Sequence, residues 1–254
     1  MRSSGIVFVS MMLVLALNAT AAAQPSDENQ NRKLCLDANS DLQIGGCTAV
    51  IQSGQESTQN VAVAFNNRGN AYRQQNALDR AILDYNEAIA LDPGFTMAFL
   101  NRGRTYSEKN DFEHAIQDFD QALKLSPNRA DTLSSRCWAH AAVGKLPEAL
   151  LDCNESLKLE PNDATALSSR GLTYLKMKKF DGAIADYDSA LKLNPKLASS
   201  LYGRGAAERA KGDAAKGDAD VEAAKKIDPD VSSRFERYGL PPQNSVQPAA
   251  EPTT

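Results

Sequence analysis

From Ala62 to Pro229 the chain alternates between apolar stripes of helical period and short polar breaks. "FNNRGNAY" at Phe65–Tyr72 starts the pattern. "AILDYNEAI" at Ala81–Ile89 follows after a polar turn, with apolar residues at i, i+4 and i+7 on one stripe. Together they predict a pair of helices. The first segment returns as "FLNRGRTY" at Phe99–Tyr106, "LSSRCWAH" at Leu133–His140, "LSSRGLTY" at Leu167–Tyr174 and "LYGRGAAE" at Leu201–Glu208, each 34 residues after the last. Every unit closes on a proline: Pro93, Pro127, Pro161, Pro195 and Pro229. Proline lacks an N–H and keeps the preceding residue out of the helical region, so these positions predict helix stops. Small residues (Gly69, Ala81, Ala88) suit places where two helix backbones come close, and Phe65 and Tyr85 fill the space between them.

Aromatic or Leu, Gly, Tyr, Ala, aromatic, Ala and Pro recur in register through the first, second and fourth units, and in this the chain resembles the tetratricopeptide repeat family. The third unit departs with Cys137 for the glycine, His140 for the tyrosine and Cys153 for the second aromatic. The fifth has Glu208 and Gly217 where Tyr and Ala are expected. The resemblance implies an all-α superhelix, a solenoid of antiparallel helix pairs whose first helices line a concave groove for a peptide or partner segment. Its units would span 62–95, 96–129, 130–163, 164–197 and a divergent 198–231. One pair alone cannot bury its apolar face, whereas stacked pairs make a continuous core.

The flanks extend this plan. In Asn31–Ser53, "GCTAVI" sits where later units carry "DYNEAI" and "DCNESL", so 24–61 reads as a repeat shortened by about one helical turn. "DVSSRFERYGL" after Pro229 predicts a short cap over 232–240, with Phe235 and Tyr238 turned onto the last repeat. The tail 241–254 holds too little apolar material to fold. At the other end, Arg2, the apolar run Ile6–Leu17 and small residues at Ala21 and Ala23 have the layout of a signal peptide over 1–23. The run is short for the ~20 residues of a membrane-spanning helix, and its downstream flank is not basic. Export with cleavage after Ala23 is expected, to the bacterial periplasm or beyond, without stable membrane insertion afterwards.

Four cysteines in an exported chain permit three pairings. The repeat frame puts Cys137 opposite Cys153 across the third unit, and Cys35 opposite Cys47 in the shortened one, 12 apart instead of 16. Without a Cys-x-x-Cys or a second nearby His, structural disulfides are expected rather than a redox or metal site.

One arginine stands in every unit: Arg68, Arg102, Arg136, Arg170 and Arg204. Sixteen residues later stands an aspartate: Asp84, Asp118, Asp152, Asp186 and Asp220. A row of arginines is suited to reading an acidic ligand, yet each has its own carboxylate at a fixed offset. A structural ladder of pairs between the two helices of each unit is expected.

Function then falls to the face of the first helices two residues before and after each arginine. That face carries Asn66, Asn70, Arg73 and Arg104 at a polar end, and Leu100, Trp138, Leu172, Leu175, Lys176 and Tyr202 along an apolar strip. The sole tryptophan, Trp138, is the expected anchor of that strip. Family members that clamp a C-terminal carboxylate use Lys, Asn and Arg on this face. The lysines of that arrangement are missing here.

A net charge of −4, from 28 Lys+Arg and 32 Asp+Glu, gives no basic footprint for nucleic acid. Two isolated histidines and the lack of a phosphate loop, a metal spacing or a nucleophile–base set give no enzyme, and no cofactor or metal is expected. The sequence points to a non-catalytic scaffold for a protein or peptide partner, or alternatively to a self-assembling envelope protein.

Overall fold

The residue before each repeat proline leaves the helical region, as the steric rule demands. Asp92, Ser126, Glu160, Asn194 and Asp228 all have φ between −130° and −143° and end a helix there. The computed structural model describes residues 25–240, so the expected signal peptide (1–23) and tail (241–254) lie outside the described residues. Those described form α1 (Pro25–Leu34), α2 (Ser40–Ser53), α3 (Thr58–Gln74), α4 (Leu78–Leu91), α5 (Thr96–Glu108), α6 (Phe112–Leu125) and α7 (Ala130–Ala142). They continue as α8 (Leu146–Leu159), α9 (Ala164–Lys176), α10 (Phe180–Leu193), α11 (Ala198–Ala210), α12 (Ala214–Ile227) and α13 (Val231–Arg237). No strand occurs among the described residues, and no helix there is long and apolar enough to cross a membrane.

Successive helices pack as pairs, each first helix against its own second helix, and from α3 to α11 each first helix also packs against the first helix of the neighbouring repeat. The chain is therefore an all-α solenoid. Helix α1 has 10 residues against 13 in α5, α7, α9 and α11, about one turn less. Asn39 caps α2 by accepting from the Asp41 and Leu42 N–H groups, and Ser57 starts α3 at Thr58, four residues before the repeat frame begins.

Inside each pair the closest approach follows one rule. A Cβ on Gly69 would lie 2.7 Å from the Tyr85 ring, one on Gly103 2.7 Å from Phe119, and one on Gly171 2.8 Å from Tyr187. A flat ring thus lies on bare backbone. The third repeat replaces both partners together, and a Cys137–Cys153 disulfide (Sγ–Sγ 1.93 Å) spans the gap. The N-terminal repeat holds Cys35–Cys47 at the same level (Sγ–Sγ 2.00 Å). Either staple closes a short loop and stabilises by ~3 kcal/mol in the chain-entropy model. Burial runs unbroken from Leu100 through Phe119, Tyr187 and Tyr202 to Phe235.

The turn within each pair needs one left-handed residue. Asn76, Asn110, Gly144, Lys178 and Gly212 take it, with φ from 57° to 98°. Asn and Gly tolerate this region, but lysine has a Cβ that crowds the backbone. Lys178→Gly should therefore raise stability by ~0.5–1 kcal/mol, a gain of roughly 1–4 °C in melting temperature for a chain of this size. Thermal unfolding followed by circular dichroism checks it; an unchanged or lower midpoint means that the turn stores no strain.

Candidate functional site

The arginine of each repeat stands where its helix pair meets the pair before it. Arg68 Nε and Nη2 donate to Asp84 at 2.7 and 2.8 Å, and the same two-pronged contact joins Arg102 to Asp118, Arg136 to Asp152, Arg170 to Asp186 and Arg204 to Asp220. The third nitrogen has a second job. Nη1 of Arg102, Arg136, Arg170 and Arg204 donates to Asn86, Asp120, Asn154 and Asp188 at 2.6–3.0 Å, all on the second helix of the preceding repeat. Arg68 makes the matching bond to Thr48 at 3.0 Å, in the position that the shortened repeat offers. The sequence signal for this inter-repeat bond is the Asn or Asp two residues after Asp84, Asp118, Asp152 and Asp186; Asp220, in the last repeat, has Glu222 there instead. The Asp84 contact raises the Arg68 pKa; for Arg102 and Arg136 burial works the other way, and the paired aspartates outweigh it. Every prong is committed within the fold, so the row is not arranged to read a ligand.

Burial corrects the expected apolar strip. Leu100 and Tyr202 are 0% and 1% exposed, Leu172 and Leu175 3% and 5%. A single repeat's periodicity leaves that face free, but each first helix also packs on the first helix of its neighbour, and this seam takes the positions two before the arginine. Asn66, also buried, accepts from Asn101 Nδ2 at 2.9 Å across the α3–α5 seam. Lys176 is not a free groove cation either: it donates to the Ala141 and Ala142 carbonyls at 2.6 and 3.0 Å, capping the end of α7. Burial lowers its pKa.

Trp138 is half-buried rather than an open anchor. Phe112 meets it edge-on at 5.3 Å, and Tyr238 from α13 at 5.5 Å. The cap was expected on the last repeat alone. Phe235 does contact Tyr202 there, at 4.6 Å, but Tyr238 reaches the third repeat. Between α13 and the first helices a cleft of about 410 Å³ remains, with Trp138, Ser168, Leu172, Phe235 and Tyr238 in its walls.

The polar end is a groove of about 420 Å³ between α3 and α5, lined by Gln43, Asn66, Asn70, Arg73, Met97 and Asn101. Asn70 accepts from the Tyr85 hydroxyl at 2.7 Å, which leaves its Nδ2 donor uncommitted among the described residues. Burial pushes the Tyr85 pKa up to about 12, so that hydroxyl stays protonated. Arg73 pairs with Glu108 at 2.7 Å, yet its buried Nε has no partner, and neither has the buried Gln43 Oε1. Arg104 is poorly matched, 3.9 Å from Asp131 and 3.3 Å from the Ser135 hydroxyl. Burial lowers its pKa, and Arg73 and Arg129 nearby lower it further.

The family model for the tetratricopeptide repeat matches residues 62–95, 97–129 and 164–197. This chain is a tetratricopeptide repeat protein. Its unmatched third repeat carries the disulfide, and its fifth has Val221 and Gly205 at the ring and glycine positions. No curated protein matches it. A tetratricopeptide repeat protein from Parabacteroides merdae is similar in structure, at 16% identity and TM-score 0.66, over 85% of this chain and 89% of that one. YrrB, described as a TPR protein with an unusual peptide-binding site, aligns at 22% identity and TM-score 0.53, over 78% of this chain and all of the other. MamA from Desulfovibrio magneticus aligns at 17% identity and TM-score 0.56, over 68% of this chain and 98% of its own. At these identities the likeness is one of fold.

If the arginines hold the tetratricopeptide repeats together, Arg102→Ala strands the buried Asp118 and cuts the link to Asn86. A loss of ~2–4 kcal/mol is expected, against ~0.5–1.5 kcal/mol for Asn86→Ala, which removes one hydrogen bond. Urea titration of both variants gives the comparison. An Arg102→Ala protein as stable as the parent would return the arginines to the list of ligand contacts.

Proposed function

We propose that the chain is an exported, non-catalytic scaffold that holds an extended segment of a protein partner in the groove between α3 and α5. One observation carries this reading. The groove is walled by amide and guanidinium groups, with the Asn70 Nδ2 donor uncommitted among the described residues and with Arg73 Nε and Gln43 Oε1 unpartnered just beneath its surface. A peptide in extended form brings a donor and an acceptor at nearly every residue, and it satisfies such groups without a demand for particular side chains. Arg104 lies further along α5 with a poorly matched charge, suited to an acidic side chain or a terminal carboxylate on the bound segment. The similar fold of YrrB, with its peptide-binding site, is in keeping with this use. Among the described residues no group of His, Cys, Asp or Glu has a metal-binding arrangement.

Export rests on the signal layout of residues 1–23 and on two cysteine pairs suited to an oxidising compartment. The mature protein should begin at Gln24, fractionate with the periplasm and show no free thiol under denaturing alkylation. Recovery from the cytoplasm with four reactive thiols would refute the location.

Asn70→Leu tests the groove with a side chain that the fold already tolerates, because the fourth repeat has Leu172 at the equivalent position. Immobilised mature variant, which also strands the Tyr85 hydroxyl at a cost of ~1–3 kcal/mol, should melt several degrees below the parent but remain folded, and should capture the partner from a periplasmic extract at least tenfold less well. Equal capture by variant and parent would move the binding site elsewhere.

A further inference from the structure

Helix α13 lies across the first-helix face instead of ending the stack like a plain cap. Its buried Val231 and Phe235, with Tyr238 at its C-cap, stand at i, i+4 and i+7. Phe235 takes Tyr202, while Tyr238 takes Trp138 and, at 6.2 Å, Phe112. Helix α13 and the Tyr238 that caps it thus reach surfaces that belong to the second, third and fifth repeats.

The fit is apolar only. Tyr187 is 1% exposed and lines the cleft under α13, yet its hydroxyl has no partner. Its counterpart Tyr85 donates to Asn70, and here Leu172 stands in the asparagine's place. Ser107, 5% exposed on the same cleft, is also without a partner. Buried hydroxyls are normally satisfied, so two that face one cleft mark a ligand group that α13 does not supply. Within α13 itself the Ser232 hydroxyl is buried and unpaired.

We propose that the α7–α9–α11 face is a second docking site, for a short partner helix with aromatic residues three apart, and that α13 fills it in cis until such a partner displaces it. The partner helix places its rings on Tyr202 and Trp138 as Phe235 and Tyr238 do, and carries a polar acceptor toward the Tyr187 hydroxyl. An intramolecular plug on a short tether competes at an effective concentration on the order of millimolar, so a trans segment wins only where it fits better. This site is separate from the α3–α5 groove, and either reading survives the loss of the other.

Trp138, as the sole tryptophan, reports directly on the dock. The full mature chain carrying Phe235→Ala and Tyr238→Ala should show red-shifted emission. A labelled peptide of sequence DPDVSSRFERYGL, copied from Asp228–Leu240, should bind that variant at least tenfold more tightly than the parent and reverse the shift. Equal binding to both proteins, or none to a double variant of parental helicity, overturns the proposal. Hydrogen exchange on the unaltered protein decides the case if the variant does not fold. Amides of α13 should exchange at least tenfold faster than those of α9 and α11. Equal protection of the three helices would make α13 a fixed part of the fold and end the idea.

Discussion

A guanidinium shared between two acceptor side chains, one in its own repeat and one in the repeat before, is what the rest of the solenoid depends on. Each arginine closes its own helix pair through a two-pronged contact with the aspartate 16 residues on, then reaches back to the second helix of the preceding repeat. Packing alone would not set the rotation between repeats so tightly, because apolar surfaces slide at little cost while a bidentate pair is directional. The aspartate in each ladder pair is nearly withdrawn from water, with side-chain exposure of 4–17%. A carboxylate in that position is costly unless matched, so a repeat that shifts against its neighbour loses the compensation. The pairs therefore define register more than they add net stability.

Around that frame the repeats vary in how they bring two backbones together, and the variation is coupled. Ring on glycine serves three repeats, Val221 near Gly205 a fourth, and a disulfide the third and the shortened N-terminal one. Cysteine at only one of the two positions would leave a void or a clash, which is why Cys137 and Cys153 replace glycine and aromatic together. In the same repeat His140 stands where tyrosine is usual and bonds Asp152 at 3.1 Å. Burial pushes that carboxyl up, but hydrogen bonds from His140 and Arg136 outweigh it and hold its pKa below the ordinary value. The ladder pair of the stapled repeat thereby gains a third member.

Helix number, phase and ends were legible in the sequence because they follow from local rules: period, proline, and glycine facing a ring. The Arg–Asp offset was legible too, since both residues repeat with the unit. The outer face was not. Periodicity within one helix tells which side meets its own partner, but Leu100, Leu172 and Tyr202 are covered by helices 34 residues away or by α13, and those contacts have no local signature. Lys176 misled for the same reason, as its role is to cap a helix of another repeat. At the amide end Asn66 is likewise buried in the seam, while Asn70 and Arg73 border the groove between α3 and α5.

The two ends of the first-helix face thus differ in a way that bears on regulation. At the amide end the groove is walled largely by amide side chains, which water wets without penalty, so it can stay open. The aromatic end has no such option: Trp138, Phe112 and Tyr202 left bare would form a contiguous apolar patch of the kind that drives unwanted association. A chain that keeps rings there for binding must cover them between engagements, and a short helix joined to the last repeat is the cheapest cover. It need only match the rings. Leaving Tyr187 and Ser107 unsatisfied beneath it weakens the cover, and that weakness is what would let a better-matched segment replace it.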